Sequence, residues 1–246
     1  MTNPVALITG AARRIGEVIA ETLHGNGYNL VLHYNQSVNH VQQLRDKFNR
    51  QRENSAIVVQ ADLCDMDAIA DLADAGIKQW QRLDALINNA SSFYPTPLGT
   101  ITMDAWRDLI GTNLQAPLFL SQACSAALKT TKGCIINIAD IHGDRPLSHH
   151  TVYCVAKAGN IMLTKSLAKE LAPDIRVNGI APGTILWPED EAEISEDIKK
   201  IIINRIALKK IGDPADIATT IKFLLQDAPY ITGQIIAVDG GRSLVS

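Results

Sequence analysis

The chain has 246 residues, of which 46% are hydrophobic and 20% are charged, and its formal net charge is -3. This apolar content is sufficient for a folded core and excludes a disordered or fibrous chain. The slightly acidic balance excludes a protein that binds nucleic acid through a generic basic surface. No apolar run reaches the roughly 18 residues of a membrane helix.

The N-terminal residues and the cysteines indicate the cellular compartment of the protein, and the cysteines and histidines also bear on metal binding. Met1-Thr-Asn-Pro lacks the basic segment of a signal peptide. The cysteines show no CxxC pair, and the adjacent His149 and His150 have no companion ligands, so we expect free thiols, an exposed histidine pair and no bound metal. The sequence therefore predicts a soluble cytoplasmic protein, with neither nucleic acid nor membrane as a partner.

Short apolar runs alternate with amphipathic stretches along the chain. Runs typical of strands cover residues 5–9, 28–34, 56–60, 83–88, 133–138, 175–180 and 234–238. Helical periodicity or capping signals cover residues 14–25, 38–50, 65–81, 103–129 with an interruption at Pro117, 151–172 and 214–226.

The strand runs are continuously apolar, which is expected when helices cover both faces of a parallel sheet. No linker, repeat or low-complexity segment divides the chain. The pattern predicts a single domain over residues 1–246, an α/β doubly wound Rossmann fold with about seven parallel strands and helices on both faces. Residues 184–205 contain the least regular segment, and we interpret it as either a solvated loop or a flap over a substrate.

A glycine-containing turn joins the first strand to the first helix and reads Thr9-Gly-Ala-Ala-Arg-Arg-Ile-Gly16. Free backbone N–H groups and the positive end of a helix dipole suit a pyrophosphate. Arg14 stands where the dinucleotide fingerprint has a glycine. The turn alone is therefore compatible with a dinucleotide site and with an ordinary strand-to-helix turn.

Residues 34–37, Tyr-Asn-Gln-Ser, end the second strand, and no acidic residue follows until Asp46. An acid here binds the adenosine ribose of NAD and would repel a 2′-phosphate. Asn35 and Ser37 can instead donate hydrogen bonds to a phosphate, and Arg13 adds a cation. A plain polar turn has the same residue types, but together with the glycine turn this composition favours NADPH.

Tyr153 and Lys157 lie on one face of a predicted helix because they are four residues apart. A phenol with a pKa near 10 is a poor acid–base group at neutral pH. A lysine ammonium within about 4–6 Å would lower that pKa. Such a pair is common on exposed helices, so by itself it is weak evidence for an active site. The evidence is stronger together with Asp140, which follows the fifth predicted strand, and Asn113 in the long helical region.

In this order and spacing the motifs resemble the short-chain dehydrogenase/reductase family over essentially the whole chain. The residues that carry the resemblance are the turn at 9–16, Asp62-Leu63, Asn88-Asn89-Ala90, Asn113, Tyr153, Lys157, Pro182-Gly183 and Val238-Asp239-Gly240-Gly241. The resemblance implies a tyrosine acid, a lysine that lowers the tyrosine pKa and holds the nicotinamide ribose, and an asparagine that supports a proton-relay water. It also implies that the chain assembles as a homotetramer.

Two departures from the common family pattern match its pteridine reductase subgroup, namely Arg14 in the turn and Asp140 in place of the usual serine. The segment 88–97 also resembles that subgroup, in which the phenylalanine corresponding to Phe93 stacks on the pterin. The resemblance implies that the turn arginine contacts both the cofactor phosphate and the substrate. Gln36 departs from the subgroup, which often has a cation there to bind the 2′-phosphate.

The motifs and the resemblance together assign three sets of residues. The catalytic set is Asp140, Tyr153 and Lys157. The NADPH-binding set is Gly10, Arg13, Arg14, Ile15, Gly16, Tyr34, Asn35, Ser37, Asp62, Leu63, Asn89, Ala90, Ser91, Asn113, Tyr153, Lys157, Pro182 and Gly183. The substrate-binding set is Arg14, Ser91, Phe93, Asp140, Tyr153 and Trp187.

We therefore expect NADPH-dependent reduction of a pterin or a dihydrofolate-like substrate, by hydride transfer to a ring C=N bond. One alternative is a reductase of 3-oxoacyl thioesters or other carbonyls. Asp140 argues against it, because a carboxylate pairs with an amino-pyrimidine edge, whereas a serine hydroxyl donates to a carbonyl. Another alternative is a non-catalytic NADP-binding sensor or scaffold, which the presence of Tyr153, Lys157 and Asn113 disfavours.

Overall fold

The computed structural model describes residues 2–187 and 195–244. Its strands are β1 (Val5–Ile8), β2 (Asn29–Tyr34), β3 (Ala56–Gln60), β4 (Ala85–Asn88), β5 (Cys134–Ile138), β6 (Arg176–Pro182) and β7 (Ile235–Val238). They form one sheet in the order β3-β2-β1-β4-β5-β6-β7, and each neighbouring pair is parallel. This confirms the predicted doubly wound Rossmann fold.

Helices connect the strands close to the predicted positions. They are α1 (Arg14–Gly25), α2 (Val38–Gln51), α3 (Met66–Trp80), α4 (Met103–Ile110), α5 (Ala116–Thr131), α6 (Thr151–Glu170), α7 (Glu196–Asn204) and α8 (Pro214–Gln226). Short 3₁₀ turns follow β5 at Ile141–Gly143 and β7 at Arg242–Leu244.

Helix α7 lies inside the segment that the sequence assigns to a loop or flap. Ser195 caps it, since its Oγ accepts a hydrogen bond from the Ile198 N–H at 3.4 Å. Part of the predicted flap is therefore a short helix. The central part of that prediction, residues 188–194, lies outside the described residues.

The strands are apolar on both faces because helices pack on each side of the sheet. Along β1, Ala6 and Ile8 belong to one core cluster with residues of α1, α2 and α8. Val5 and Leu7 point the opposite way and belong to a second cluster with residues of α3, α5 and α6. Within the described ranges, no helix is both long enough and apolar enough to cross a bilayer.

The long helical region after β4 changes geometry at Gly111–Gln115, a π-helical turn between α4 and α5, rather than at Pro117 itself. Pro117 has no backbone N–H, so the carbonyl of Asn113, four residues earlier, has no α-helical donor. The Asn160 side chain of α6 supplies one, with its Nδ2 at 3.0 Å from the Asn113 oxygen. The proline therefore acts through the preceding turn, a kind of irregularity that often lies at functional sites.

The strand order reverses between β1 and β4, which is the position where doubly wound sheets bind ligands at the carboxyl ends of their strands. The first glycine turn follows β1, and the segment beginning at Asn89 follows β4. Asp140 follows β5, and Gly183 follows β6. The fold therefore brings these predicted site residues to one edge of the sheet.

Candidate active site

The turn after β1 takes an unusual conformation at two residues. Gly10 has a φ of 63° and Arg14 a φ of 56°, so Arg14 adopts the left-handed region at the place where the fingerprint has glycine. Arg13 is extended, and its side chain does not cap α1. The N–H groups of the first turn of α1 therefore remain available to an anion, as a phosphate site requires.

Gly16 and Asn89 hold this turn against the end of β4. A Cβ atom added at Gly16 would lie 2.1 Å from the Gly10 carbonyl oxygen and 2.8 Å from Asn89 Nδ2. Asn89 Nδ2 donates to the carbonyl oxygens of Thr9 at 2.9 Å and Gly10 at 3.2 Å. The turn is thus closed by contacts that leave no room for a side chain at position 16.

His33, near the end of β2, holds the same turn in place through hydrogen bonds. Its Nδ1 accepts a hydrogen bond from the Gly10 N–H at 3.1 Å, and its Nε2 donates to the Ala61 oxygen at 3.1 Å. Burial lowers the pKa of His33 to about 4, because the imidazolium form would be desolvated. His33 is therefore a neutral positioning residue. The sequence analysis did not assign it to the site, although it stands one residue before the predicted Tyr34.

A cavity of about 400 Å³ opens beside the turn. It brings together the predicted cofactor residues Gly10, Arg13, Arg14, Ile15, Gly16, Asn35, Asp62, Leu63, Asn89, Ala90 and Ser91. It is also lined by His33, Ser92, Asp108 and Thr112, which the sequence analysis did not assign. We refer to it below as the turn cavity.

The rim of the turn cavity at the end of β2 carries no acid. Asn35 lines the cavity, and Ser37 follows at the start of α2, where its side chain makes no capping bond. Tyr34 is buried, with 9% of its surface exposed, so its side chain serves the core. Exposed Arg13, the uncapped end of α1 and the hydroxyl of Ser37 are donors that fit the phosphates of a dinucleotide.

Tyr153 and Asp140 form a direct pair deeper in the site. Tyr153 Oη donates to Asp140 Oδ2 at 2.8 Å, and Asp140 Oδ1 accepts from the His142 N–H at 2.8 Å. Burial and the neighbouring carboxylate raise the pKa of Tyr153 well above its usual value. The predicted lowering of that pKa by Lys157 is therefore wrong for this structure, because desolvation and the negative charge of Asp140 both oppose the phenolate.

Lys157 is completely enclosed beneath the tyrosine. Its Nζ donates to the Ile138 carbonyl oxygen at 2.8 Å and lies 5.6 Å from the centre of the Tyr153 ring. Burial lowers the pKa of Lys157 to about 8, although the charge of Asp140 opposes this shift. The pair thus presents a neutral phenol, which is the form that donates a proton, above a lysine that retains its charge at neutral pH.

Asn113 makes hydrogen bonds that organise the segment after β4. Its Oδ1 accepts from Ser91 Oγ at 2.7 Å, and its Nδ2 donates to the Ser92 oxygen at 2.9 Å and the Leu109 oxygen at 2.9 Å. Its backbone carbonyl accepts the Asn160 amide, which leaves one of its two acceptor positions for another donor. The structure thus gives Asn113 a positioning role through Ser91, while its predicted relation to a water stays a prediction.

A second cavity of about 410 Å³ lies next to Tyr153. It brings together the predicted Phe93, Asp140, Tyr153, Gly183 and Trp187, and it adds Pro95, Ile141, His142, Leu147, His150, Thr184, Ile185, Leu186, Ile202 and Arg242. We call it the tyrosine cavity. Of the remaining predicted residues, Pro182 ends β6 immediately before Gly183.

Aromatic rings form one wall of the tyrosine cavity. Phe93 is 52% exposed and stacks on His150, with the ring centres 4.7 Å apart and the planes at 14°. It also meets the Tyr153 ring edge-on at 4.8 Å. The prediction of an exposed histidine pair is therefore wrong for half-buried His150, because the Phe93 ring covers it, whereas His149 is exposed. Within the described ranges, no cluster of three or more His, Cys, Asp or Glu residues could hold a metal ion.

Arg14 links the two cavities. It lines the turn cavity, and its Nη2 donates to the Trp187 carbonyl oxygen at 3.2 Å, at the edge of the tyrosine cavity. The site therefore combines a turn with uncapped N–H groups, a buried phenol and a partly aromatic pocket in one crevice. Such an arrangement can hold a dinucleotide beside a flat substrate and deliver a proton to it.

Comparisons with known proteins agree with this geometry. The family described as enoyl-(acyl carrier protein) reductase matches residues 10–243. The chain is 38% identical to pteridine reductase 1 of Leishmania tarentolae, over 99% of this chain and 97% of the relative. It is 36% identical to a 3-oxoacyl-[acyl-carrier-protein] reductase of Staphylococcus aureus, over 96% of each chain.

A 7alpha-hydroxysteroid dehydrogenase of Bacteroides fragilis is 33% identical, over 98% of this chain and 95% of the relative. These relatives are named for different substrates, so they establish the class of enzyme and leave the substrate to the residues of the site. On the strength of the parallel sheet, the glycine turn, the Tyr153–Lys157 pair and these full-length similarities, the chain belongs to the short-chain dehydrogenase/reductase family of oxidoreductases.

Proposed function

We propose that this chain reduces a pterin or a dihydrofolate-like compound with NADPH, by hydride transfer to a C=N bond of the pteridine ring. The observation that carries the proposal is the carboxylate of Asp140 hydrogen-bonded to the Tyr153 phenol inside the tyrosine cavity. A carboxylate suits the N–H groups of an amino-pyrimidine better than it suits a bare ketone. The 38% identity to a pteridine reductase supports the same assignment.

NADPH fits the turn cavity by its charge. When bound, it would supply the hydride. Arg13, Arg14 and the N-terminus of α1 offer positive potential and N–H donors for its phosphates. The absence of an acid between Tyr34 and Asp46 removes the group that would repel a 2′-phosphate.

Tyr153 would donate the proton that accompanies reduction. Its raised pKa keeps the phenol neutral at physiological pH, and Asp140 holds the hydroxyl in a fixed direction. A carboxylate has about four acceptor positions. The bonds from Tyr153 and His142 therefore leave Asp140 able to accept N–H groups from the substrate. Lys157 would hold a ribose hydroxyl from beneath, since its ammonium has donors beyond the one used by Ile138.

Aromatic and apolar groups would hold the flat ring. Phe93 presents a half-exposed face in the tyrosine cavity, and Trp187 lines the same cavity. Arg14, which reaches the Trp187 carbonyl, would contact the polar edge of the pteridine from the side of the turn. Ser91, whose hydroxyl donates to Asn113, would contact both the cofactor and the substrate where the two cavities meet.

Reduction of a 3-oxoacyl thioester is the second candidate, because the chain is 36% identical to a 3-oxoacyl-[acyl-carrier-protein] reductase. Tyr153 and Lys157 would serve that reaction equally well. Asp140 favours the pterin, because a carboxylate adds negative charge where a carbonyl oxygen gains it during reduction. A non-catalytic sensor or scaffold has no need of a buried proton donor paired with a carboxylate, so we rank it below both reductases.

A substrate panel at fixed NADPH tests the proposal. Dihydrobiopterin, dihydrofolate, biopterin and an acetoacetyl thioester are supplied to the purified chain, and NADPH oxidation is followed by absorbance. We expect turnover of pterins or dihydrofolate that disappears in Tyr153→Phe. Turnover of the thioester alone would overturn the pterin assignment, and no turnover of any compound would favour the sensor.

We infer that the chain forms a homotetramer, as its resemblance to the family implies. Helices α5 and α6 carry exposed apolar side chains that could take part in subunit contacts, since Leu118 of α5 is 37% exposed, and Val155 and Met162 of α6 are 48% and 63% exposed. Exposed apolar surface is typical of interfaces. Size-exclusion chromatography with light scattering should give the mass of four chains, and a monomer at micromolar concentration would contradict this.

A cytoplasmic location is part of the same proposal. All four cysteines are free thiols, which fits a reducing compartment. Fractionation of cells that produce the chain at native levels should recover it with cytoplasmic markers. Recovery from an extracellular or membrane fraction would contradict the inference.

A further inference from the structure

An arginine in the tyrosine cavity has no part in the function described so far. Arg242 opens the 3₁₀ turn Arg242–Leu244 that follows β7. It lines the same cavity as Asp140, Tyr153 and Phe93. The motif recognised in the sequence ends at the preceding Gly240-Gly241 pair and does not include Arg242.

The backbone around Arg242 is fixed by one carboxylate. Asp239 Oδ1 accepts from the Gly241 N–H at 2.9 Å, and its Oδ2 accepts from the Ser243 N–H at 2.7 Å. The Arg242 guanidinium itself donates through Nη1 to Thr184 Oγ1. The backbone on either side of Arg242 is therefore held by Asp239, and its half-buried side chain is held in the cavity wall by Thr184.

Among residues 2–187 and 195–244, no carboxylate lies within 4.0 Å of the Arg242 guanidinium. The ion pairs found there join other cationic side chains to their carboxylates. Asp239 accepts backbone N–H groups, and Asp140 accepts hydrogen bonds from Tyr153 and His142 rather than from Arg242. Partial burial lowers the pKa of Arg242, the negative charges of Asp140 and Asp239 oppose this shift, and nearby Arg205 adds to it.

A partly desolvated guanidinium without a direct counter-ion is costly, and an anionic ligand in the cavity would offset the cost. Arginine presents five N–H donors in a planar fork that matches a carboxylate or a phosphoryl group. One of its terminal nitrogens is engaged by Thr184, so other donors remain to face a ligand. The exposed aromatic wall formed by Phe93 would meanwhile contact the uncharged ring.

We propose that Arg242 binds an anionic substituent of the substrate, a carboxylate or a phosphoryl group, and makes the chain prefer anionic substrates over neutral ones. The inference rests on the proposed function only in that the substrate occupies the tyrosine cavity beside Tyr153. For pterins it favours compounds with a carboxylate tail, such as dihydrofolate, over dihydrobiopterin. Arg242 is thereby a specificity-determining residue rather than a participant in proton transfer.

The test compares an anionic and a neutral substrate of the same chemical class. Dihydrofolate is compared with dihydrobiopterin, and acetoacetyl coenzyme A with the acetoacetyl thioester of N-acetylcysteamine. The ratio of kcat/KM for the anionic and neutral members is measured in the wild type, Arg242→Gln, Arg242→Lys and Arg205→Gln. Arg205→Gln is the matched control, because it removes the same charge from an exposed neighbour that does not line the cavity.

We expect Arg242→Gln to lower the anionic-to-neutral ratio by about tenfold or more, the effect of losing one charge-assisted hydrogen bond. The loss should appear in KM for the anionic member, with kcat and the neutral substrate nearly unchanged. Arg242→Lys should restore part of the ratio, and Arg205→Gln should leave it at the wild-type value. Calorimetric binding of folate and biopterin in the presence of NADP⁺ should give the same ordering without turnover.

Equal losses for both members of a pair would show that Arg242 has only a structural role, and an unchanged ratio would also overturn the proposal. Retained NADPH affinity in Arg242→Gln verifies that the variant folds. If the wild type reduces only thioesters, the pterin assignment fails while the thioester pair still tests Arg242. A ratio that falls only for the folate pair identifies a carboxylate, and one that falls only for the coenzyme A pair identifies a phosphoryl group.

Discussion

The phenol of Tyr153 donates a 2.8 Å hydrogen bond to Asp140, a residue 13 positions earlier in the chain. Asp140 follows β5 and Tyr153 lies in the first turn of α6, so the end of a strand and the start of the next long helix together form the pair. The carboxylate stabilises the proton on the phenol and disfavours the phenolate. A phenol that stays neutral at neutral pH fits the proposed role of Tyr153 as a proton donor rather than as a base.

Replacing Tyr153 with phenylalanine should lower kcat by about 10²–10⁴-fold, which is the usual contribution of a general acid. The ring would keep its packing against Phe93, so NADPH affinity measured by fluorescence should be nearly unchanged. A Tyr153→Phe variant that keeps more than half of the wild-type kcat, with the chemical step rate-limiting, would exclude the phenol as the proton donor.

Asp140→Asn should move the alkaline limb of the kcat/KM profile to lower pH. Activity requires the protonated phenol and the charged lysine, both of which are lost as pH rises through their pKa values. The charge of Asp140 raises the pKa of Tyr153 and also that of Lys157, which lies at about 8. Removing the charge lowers both, so activity is lost at lower pH. Profiles of wild type and variant test this, and coincident alkaline limbs would contradict it.

Much of the fold could be predicted from the sequence, because each element carries its own signal. The continuous apolar runs indicated strands covered on both faces, and Ala6 and Val5 of β1 indeed point into different clusters. The placement of Tyr153 and Lys157 on one face of a helix could likewise be predicted, because their four-residue spacing matches the helical repeat. The sequence did not predict helix α7, since Ile198 and Ile201 follow a stretch with five acidic residues between Glu189 and Glu196, which hides their helical spacing.

The features that sequence could not supply depend on contacts between distant residues. The π-helical turn needs the Asn160 amide at the Asn113 carbonyl, 47 residues away. The direction of the Tyr153 pKa shift depends on burial, which spacing alone does not reveal. Arg242 reaches the tyrosine cavity only because β7 lies beside β6 and ends near Thr184.

Gly16→Ala should abolish tight NADPH binding, whereas Gly25→Ala should not. A Cβ at residue 16 would lie 2.1 Å from the Gly10 oxygen and would force the turn open. Gly25 lies in the same helix and has no atom within 4 Å of an added Cβ, so it is the matched control. Fluorescence titration measures affinity, and circular dichroism verifies folding. Equal NADPH affinity in the two variants would show that the turn does not bind the cofactor.

Gln36→Arg should lower KM for NADPH and leave KM for NADH nearly unchanged. Gln36 is exposed at the end of β2 beside Asn35, where a cation could meet the 2′-phosphate. A charge-assisted hydrogen bond contributes about 1.5–3 kcal/mol, so the gain should reach about tenfold. Gln43→Arg, on the exposed face of α2, adds the same charge away from the phosphate. An equal effect of the two variants would mean that only the overall charge matters.

Phe93→Ala should raise KM for a dihydropterin by about twofold to tenfold, because an offset-stacked aromatic pair contributes about 0.5–1.5 kcal/mol beyond burial. The reason is the position of Phe93 in the wall of the tyrosine cavity, where its 52% exposed ring can meet a flat heterocycle. NADPH affinity should stay unchanged, since Phe93 does not line the turn cavity.

Phe223→Ala is the control for this last substitution, because Phe223 is 44% exposed on α8 and lines neither cavity. It should leave KM at the wild-type value. Phe93 also stacks on His150, so its ring has a second role within the protein. If Phe93→Ala lowers the melting temperature but leaves KM unchanged, the ring only covers His150, and the pterin must bind without it.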